Sequence, residues 1–158
     1  MWKKYKPYIL SCAIGLAVGG LSALLTKDNM DMAKDYIMPP LSPPGAVFPI
    51  VWSILYILMG IASAIVYQRR TAMPDKAKSA LTVYGASLIF NFFWIIIFFN
   101  FRAFLASFIW LFILWVLIIL CIKKFYPFSK IASYLMIPYL LWVTFAGYLN
   151  LMIYILNR

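Results

Sequence analysis

The charges of this chain fall in short clusters, and between the clusters lie five stretches that carry none: Pro7–Thr26, Tyr36–Gln68, Ser79–Phe101, Ala103–Ile122 and Ile131–Asn157. A bilayer core needs roughly 20 consecutive apolar residues per helix, and each stretch meets that length. The chain is 66% hydrophobic and 11% charged, whereas a soluble domain is about half apolar and about a quarter charged. These observations exclude a soluble globule. They define an all-α integral membrane protein, a single domain over residues 1–158 built as a five-transmembrane-helix bundle. The opening MWKKYKPY resembles the basic start of a secretory signal. The apolar stretch behind it exceeds the usual length of about 7 to 15 residues, so it reads as a retained helix.

Orientation follows from Lys and Arg in the connections. Of the 14 such residues, ten (Lys3, Lys4, Lys6, Arg69, Arg70, Lys76, Lys78, Lys123, Lys124, Lys130) fall on the side of the amino terminus and four (Lys27, Lys34, Arg102, Arg158) on the other. The amino terminus is therefore expected in the cytoplasm and the carboxyl terminus outside. The net charge of +10 then reflects topology and contact with anionic membrane lipid, and gives no support to nucleic acid as a partner.

One connection is long. Lys27–Ser42 carries Asp28, Asp31 and Asp35 and ends among Pro39, Pro40, Pro43 and Pro44. Loops of that length are either solvated linkers or functional lids, and both readings stand at this point.

The spans contain neither His nor Glu, and no ionisable acid or base interrupts an apolar run. That argues against the carboxylate relays of proton-driven transporters. Cys12 and Cys121 lie alone in separate spans, so no metal site is expected. The informative residues are aromatics and amides. From Pro44 onward, Phe48, Trp52, Tyr56 and Met59 form one helical stripe. In the third span Tyr84, Ser87, Asn91, Trp94 and Phe98 share a face, and in the fifth Pro138, Trp142, Ala146 and Asn150 recur beside Phe145 and Leu149. An amide in lipid needs a partner. Either these faces form an interhelical hydrogen-bond lock, or they wall an apolar, aromatic pocket with a few polar fixtures. Ser11, Gly15, Gly19 and Ala23 make a ridge of small residues along the first span, suited to close packing within one subunit and compatible with a homodimer.

Three ordered motifs carry a resemblance: PPG-x-VF-x-x-VW-x-x-LY-x-x-MG at Pro43–Gly60, N-x-x-W at Asn91–Trp94 followed by IFF, and PYL-x-W-x-x-FA-x-x-LN at Pro138–Asn150. The chain resembles the tryptophan-rich sensory protein family, whose animal members are the translocator protein or peripheral benzodiazepine receptor; it looks like a bacterial member, expected in the cell membrane. The resemblance implies a ligand cavity under the loop between the first two helices, taking porphyrins such as protoporphyrin IX, sterols and benzodiazepine-site ligands. The ligand-binding residues it implies are Pro44, Phe48, Trp52, Tyr56, Asn91, Trp94, Trp142, Phe145, Ala146, Leu149 and Asn150. No cofactor is required in this reading, since the porphyrin is ligand or substrate. The resemblance also implies light-dependent porphyrin breakdown with Trp52 and Trp142 as the catalytic indoles, beside the alternative of a passive tetrapyrrole or sterol transporter. Departures occur at Met32 and Ala33, where relatives often carry Trp-Tyr, and at Trp110, where an acid is common. The sterol-recognition pattern survives only loosely, as Leu149, Tyr154 and Arg158.

Overall fold

The computed structural model describes residues 1–158, and every regular element in it is helical. The helices are α1 (Trp2–Thr26), α2 (Val47–Gln68), α3 (Pro74–Phe99), α4 (Phe104–Phe125), α5 (Lys130–Leu135) and α6 (Ile137–Leu156), with two short 3₁₀ turns, Lys27–Asn29 and Met32–Lys34, after α1. Five spans are long and apolar enough to cross a membrane, because α5 and α6 together make the fifth.

That division is the main difference from the sequence-based expectation of one unbroken fifth helix. Pro138 has no N–H for the Tyr134 carbonyl, and its ring crowds that turn. The chain therefore ends α5 at Leu135 and restarts with Pro138 in the first turn of α6. Elsewhere only boundaries move. The third helix begins at Pro74, five residues before the charge-free stretch, because proline suits a first turn and Asp75 complements the helix amino terminus.

In lipid the usual sorting of side chains is inverted. The buried polar residues Ser22, Thr26, Ser63, Ser87, Asn91, Ser107, Ser133 and Asn150 face the bundle interior, while Ile14, Leu24, Ile54, Ile89, Ile109, Phe112 and Leu141 point outward. Hydrocarbon solvates the latter as well as a core would and offers the former no partner. The small-residue ridge of α1 is used within the subunit. Gly15 and Gly19 lie under the ring of Tyr56, and Gly60 of α2 lies against the backbone of Cys12. Helix α1 packs on α2 and α3, α3 on α4, and α4 on α6.

The two ends of the bundle are tied differently. At the amino-terminal end, Tyr8 donates to Gln68 (3.2 Å), Gln68 donates to the Lys4 carbonyl (2.6 Å), and Arg69 donates to the Phe128 carbonyl. At the other end the long connection after α1 is folded down as a cover. Asn29 donates to Asn100 (2.9 Å), and the Asn157 side chain accepts from Ile37 N (2.8 Å) and donates to Ile37 O (3.0 Å). Tyr148 donates to the Pro40 carbonyl (3.1 Å), and Met32 inserts into the core, 4% exposed. The connection is thus tethered to the bundle, with Met32 and Pro39 buried while most of its other residues stay exposed.

Candidate functional site

Helices α2, α3 and α6 bring the sequence-derived stripe residues to one interior region, where two amides decide its character. Tyr56 donates to Asn91 Oδ1 (2.7 Å), and Asn91 Nδ2 donates to Tyr139 Oη (3.0 Å). Trp94 Nε1 and Ser107 Oγ both donate to Asn150 Oδ1 (3.1 and 3.0 Å), while Asn150 Nδ2 donates to the Phe104 carbonyl (2.7 Å). Both amides are thus interhelical locks. Asn91 joins α2, α3 and α6, and Asn150 joins α3, α4 and α6. Trp94, Ala146 and Leu149 are buried with them.

The aromatic residues nearer the cover pack over this lock. Trp52 stacks on Tyr56, with centroids 5.7 Å apart, and meets Tyr139 at 6.1 Å and Trp94 at 6.3 Å. Phe48 meets Trp142 edge-on at 5.8 Å, and Trp142 lies 5.5 Å from Phe145. Pro44 is exposed in the segment leading into α2.

Beside this array a groove of about 440 Å³ opens between α2 and α6, lined by Val51, Ile54, Leu55 and Leu58 on one wall and Pro138, Leu141, Trp142 and Phe145 on the other. The volume falls in the range of small-molecule sites, roughly 300 to 1,000 Å³. Of the residues read from the sequence, Trp142 and Phe145 line the groove; Phe48 and Trp52 pack behind it, and Tyr56, Asn91, Trp94, Ala146, Leu149 and Asn150 lie deeper. Sequence reasoning missed the Val51, Ile54, Leu55 and Leu58 wall. Those residues are ordinary aliphatics on the helix face next to the aromatic stripe.

One polar atom in the groove wall is unsatisfied. Trp142 Nε1 is buried and has no hydrogen-bond partner. Such an N–H costs about 1–3 kcal/mol when left unpaired; having no accessible surface, it can meet a molecule in the groove only if the indole turns.

At the turn from α3 to α4, Arg102 fastens the cover. Its guanidinium pairs with Asp35 (2.9 Å), reaches the Tyr36 hydroxyl (3.5 Å) and lies 5.2 Å from the Tyr36 ring centroid, while that ring packs edge-on against Phe104 at 5.0 Å. The Tyr36 hydroxyl, and then the Asp35 carboxylate, raise the guanidinium pKa above its ordinary value. Arg102 adopts a left-handed backbone, φ 51°, in the tight turn from α3 to α4. A non-glycine residue holds that conformation only where its surroundings fix it.

A five-span helical bundle with an aromatic interior, two amide locks and a tethered cover defines a class of small multi-pass membrane proteins. Residues 9–156 match the TspO/MBR family. The chain belongs to that family. It is 37% identical to the tryptophan-rich protein TspO of Chlorobaculum tepidum over 158 residues, 99% of each chain. It is 29% identical to the tryptophan-rich sensory protein of Cereibacter sphaeroides, covering 94% of this chain and 88% of that one. Against the human translocator protein the identity is 28%, over 94% of this chain and 87% of the relative.

Proposed function

We propose that the protein binds porphyrins, protoporphyrin IX in preference to haem, together with other flat hydrophobic ligands of the benzodiazepine-site type, against the aromatic wall between α2 and α6. The observation that carries this reading is the buried, unpartnered Trp142 Nε1 beside a groove of about 440 Å³. A macrocycle with an apolar body offers ring area to Trp142 and Phe145, and its peripheral acceptors can reach the Trp142 N–H once the indole turns toward the groove. Histidine is absent from the chain, so a bound metalloporphyrin would lack the usual imidazole ligand, and the metal-free form is the better match. Titration of purified protein in darkness with protoporphyrin and with haem tests this: saturable binding of the first, tighter than the second, is the expected result. No saturable binding of either would refute it.

A second reading is favoured by the contacts of Trp52. Its ring is in serial contact with Tyr56, Trp94 and Tyr139, an array over which the vacancy left by donating an electron to a photoexcited porphyrin can spread. In that reading Trp52 and Trp142 support light-dependent loss of the pigment. The setting for either activity is a bacterial cell membrane, with the amino terminus cytoplasmic as the ten-to-four cation bias directs. Reporter fusions to the two ends should therefore report opposite sides.

A further inference from the structure

We propose that the protein carries a second site, for one anionic phospholipid, at the end of the bundle where α4 begins and α6 ends. A groove of about 610 Å³ lies there, with Arg102 and Arg158 at its polar end and Leu105, Ala106, Ile109 and Tyr154 along its length. Leu105 is 44% and Ile109 is 55% exposed, so the trough is open to the bilayer. The five spans put this end of the helices at headgroup depth.

The chemistry of the two parts selects the occupant. Arg158, and the N–H groups that Arg102 keeps free beside its ion pair with Asp35, stand at the head of an apolar trough and match a molecule with negative charge at one end and an acyl chain behind it. A free anion would leave the trough uncovered, a zwitterionic lipid supplies no net charge, and a sterol has none to offer. Arg158 belongs to no ion pair. Arg102 uses only Nη1 toward Asp35 and Tyr36, and the guanidinium has five N–H donors, so Nη2 and Nε are available to a phosphate. The first turn of α4 adds uncapped backbone N–H groups, since no side chain caps its start. The site differs from a sterol contact on α6 alone, because Leu149 is buried and half of the trough belongs to α4. Arg102 also fastens the cover through Asp35, so lipid and cover share one residue.

The test uses the full chain in nanodiscs of phosphatidylcholine with graded phosphatidylglycerol, counting lipids retained by native mass spectrometry. Parent protein is expected to retain one phosphatidylglycerol in preference to phosphatidylcholine. Arg158→Gln and Arg102→Gln should each lower its apparent affinity by about fivefold, the weight of one cation near anionic lipid, and the double variant should lose the preference. Asp35→Asn breaks the same ion pair as Arg102→Gln but leaves the guanidinium in place, and it should retain the lipid at least as well as the parent. The proposal fails if both arginine variants retain phosphatidylglycerol like the parent, or if Asp35→Asn loses it as Arg102→Gln does. It also fails if inorganic phosphate displaces the lipid completely or if cholesterol is retained equally well.

Discussion

The hydroxyl of Tyr56 donates a 2.7 Å hydrogen bond to Asn91 Oδ1, thirty-five residues along the chain and on a different helix. The same amide donates to Tyr139, so one side chain satisfies two buried hydroxyls from α2 and α6. Removing it by Asn91→Ala leaves both without that partner. Interhelical hydrogen bonds in membranes average about 0.6 kcal/mol and reach about 1.7, so losing two should lower stability by about 1–2 kcal/mol. Tyr56→Phe, which removes one, should cost about half as much. Unfolding titrations in mixed micelles would show this, and an Asn91→Ala variant as stable as the parent would show the lock to be idle.

Gly19 permits the ring of Tyr56 to sit where it does: a Cβ there would collide with Tyr56 Cε2. The ring is held by Asn91 and cannot simply swing aside. Gly19→Ala should therefore destabilise by about 1–3 kcal/mol, the cost of overpacking, and Tyr56→Ala in the same chain should recover part of the loss. Gly20, whose added Cβ would meet nothing within 4 Å, is the control, and Gly20→Ala should be neutral or slightly stabilising. Thermal unfolding of the three variants decides the point.

The five spans were legible in the sequence because a charge-free run of sufficient length has few other uses. The faces were legible too, since Tyr56 meets Asn91 and Trp52 meets Trp94 from the faces their spacing implies. Which side of an aromatic face stays open was not legible. Periodicity assigns Trp142 and Ile54 to helix faces but does not state the distance between α2 and α6, and that distance makes the groove. The cover was equally hidden. Its tethers, Asn29 to Asn100 and Ile37 to Asn157, join residues 71 and 120 positions apart, and an isolated asparagine carries no mark of its partner. The break at Met136 could have been read from Pro138, but a proline within an apolar run does not say whether the helix bends or stops.

The cover should open more readily when its clamp is cut. Asn157 makes two hydrogen bonds to the backbone of Ile37, and each is worth about 0.5–1.5 kcal/mol. Asn157→Ala should raise hydrogen exchange at the Ile37 amide by at least about fivefold, with exchange in the centre of α3 unchanged. Equal exchange in parent and variant would mean that the clamp does not limit opening.

Light separates the two readings of the tryptophans. Phenylalanine at position 52 or 142 keeps most of the ring packing and is much harder to oxidise. Trp52→Phe and Trp142→Phe should retain protoporphyrin binding in the dark while slowing its protein-dependent loss under illumination. Bleaching at the parent rate in both variants would remove the photochemical role and leave binding alone.

The central claim is that the groove between α2 and α6 holds the porphyrin, and a dark titration of nanodisc-embedded protein, followed by porphyrin fluorescence, tests it most directly. Ile54 lines the groove and is 53% exposed, so Ile54→Trp fills the space without entering the core. The expected result is saturable binding by the parent and binding at least about tenfold weaker in Ile54→Trp, within the range for overfilling a site, with Trp142→Phe in between. Equal affinity in parent and Ile54→Trp would contradict the assignment.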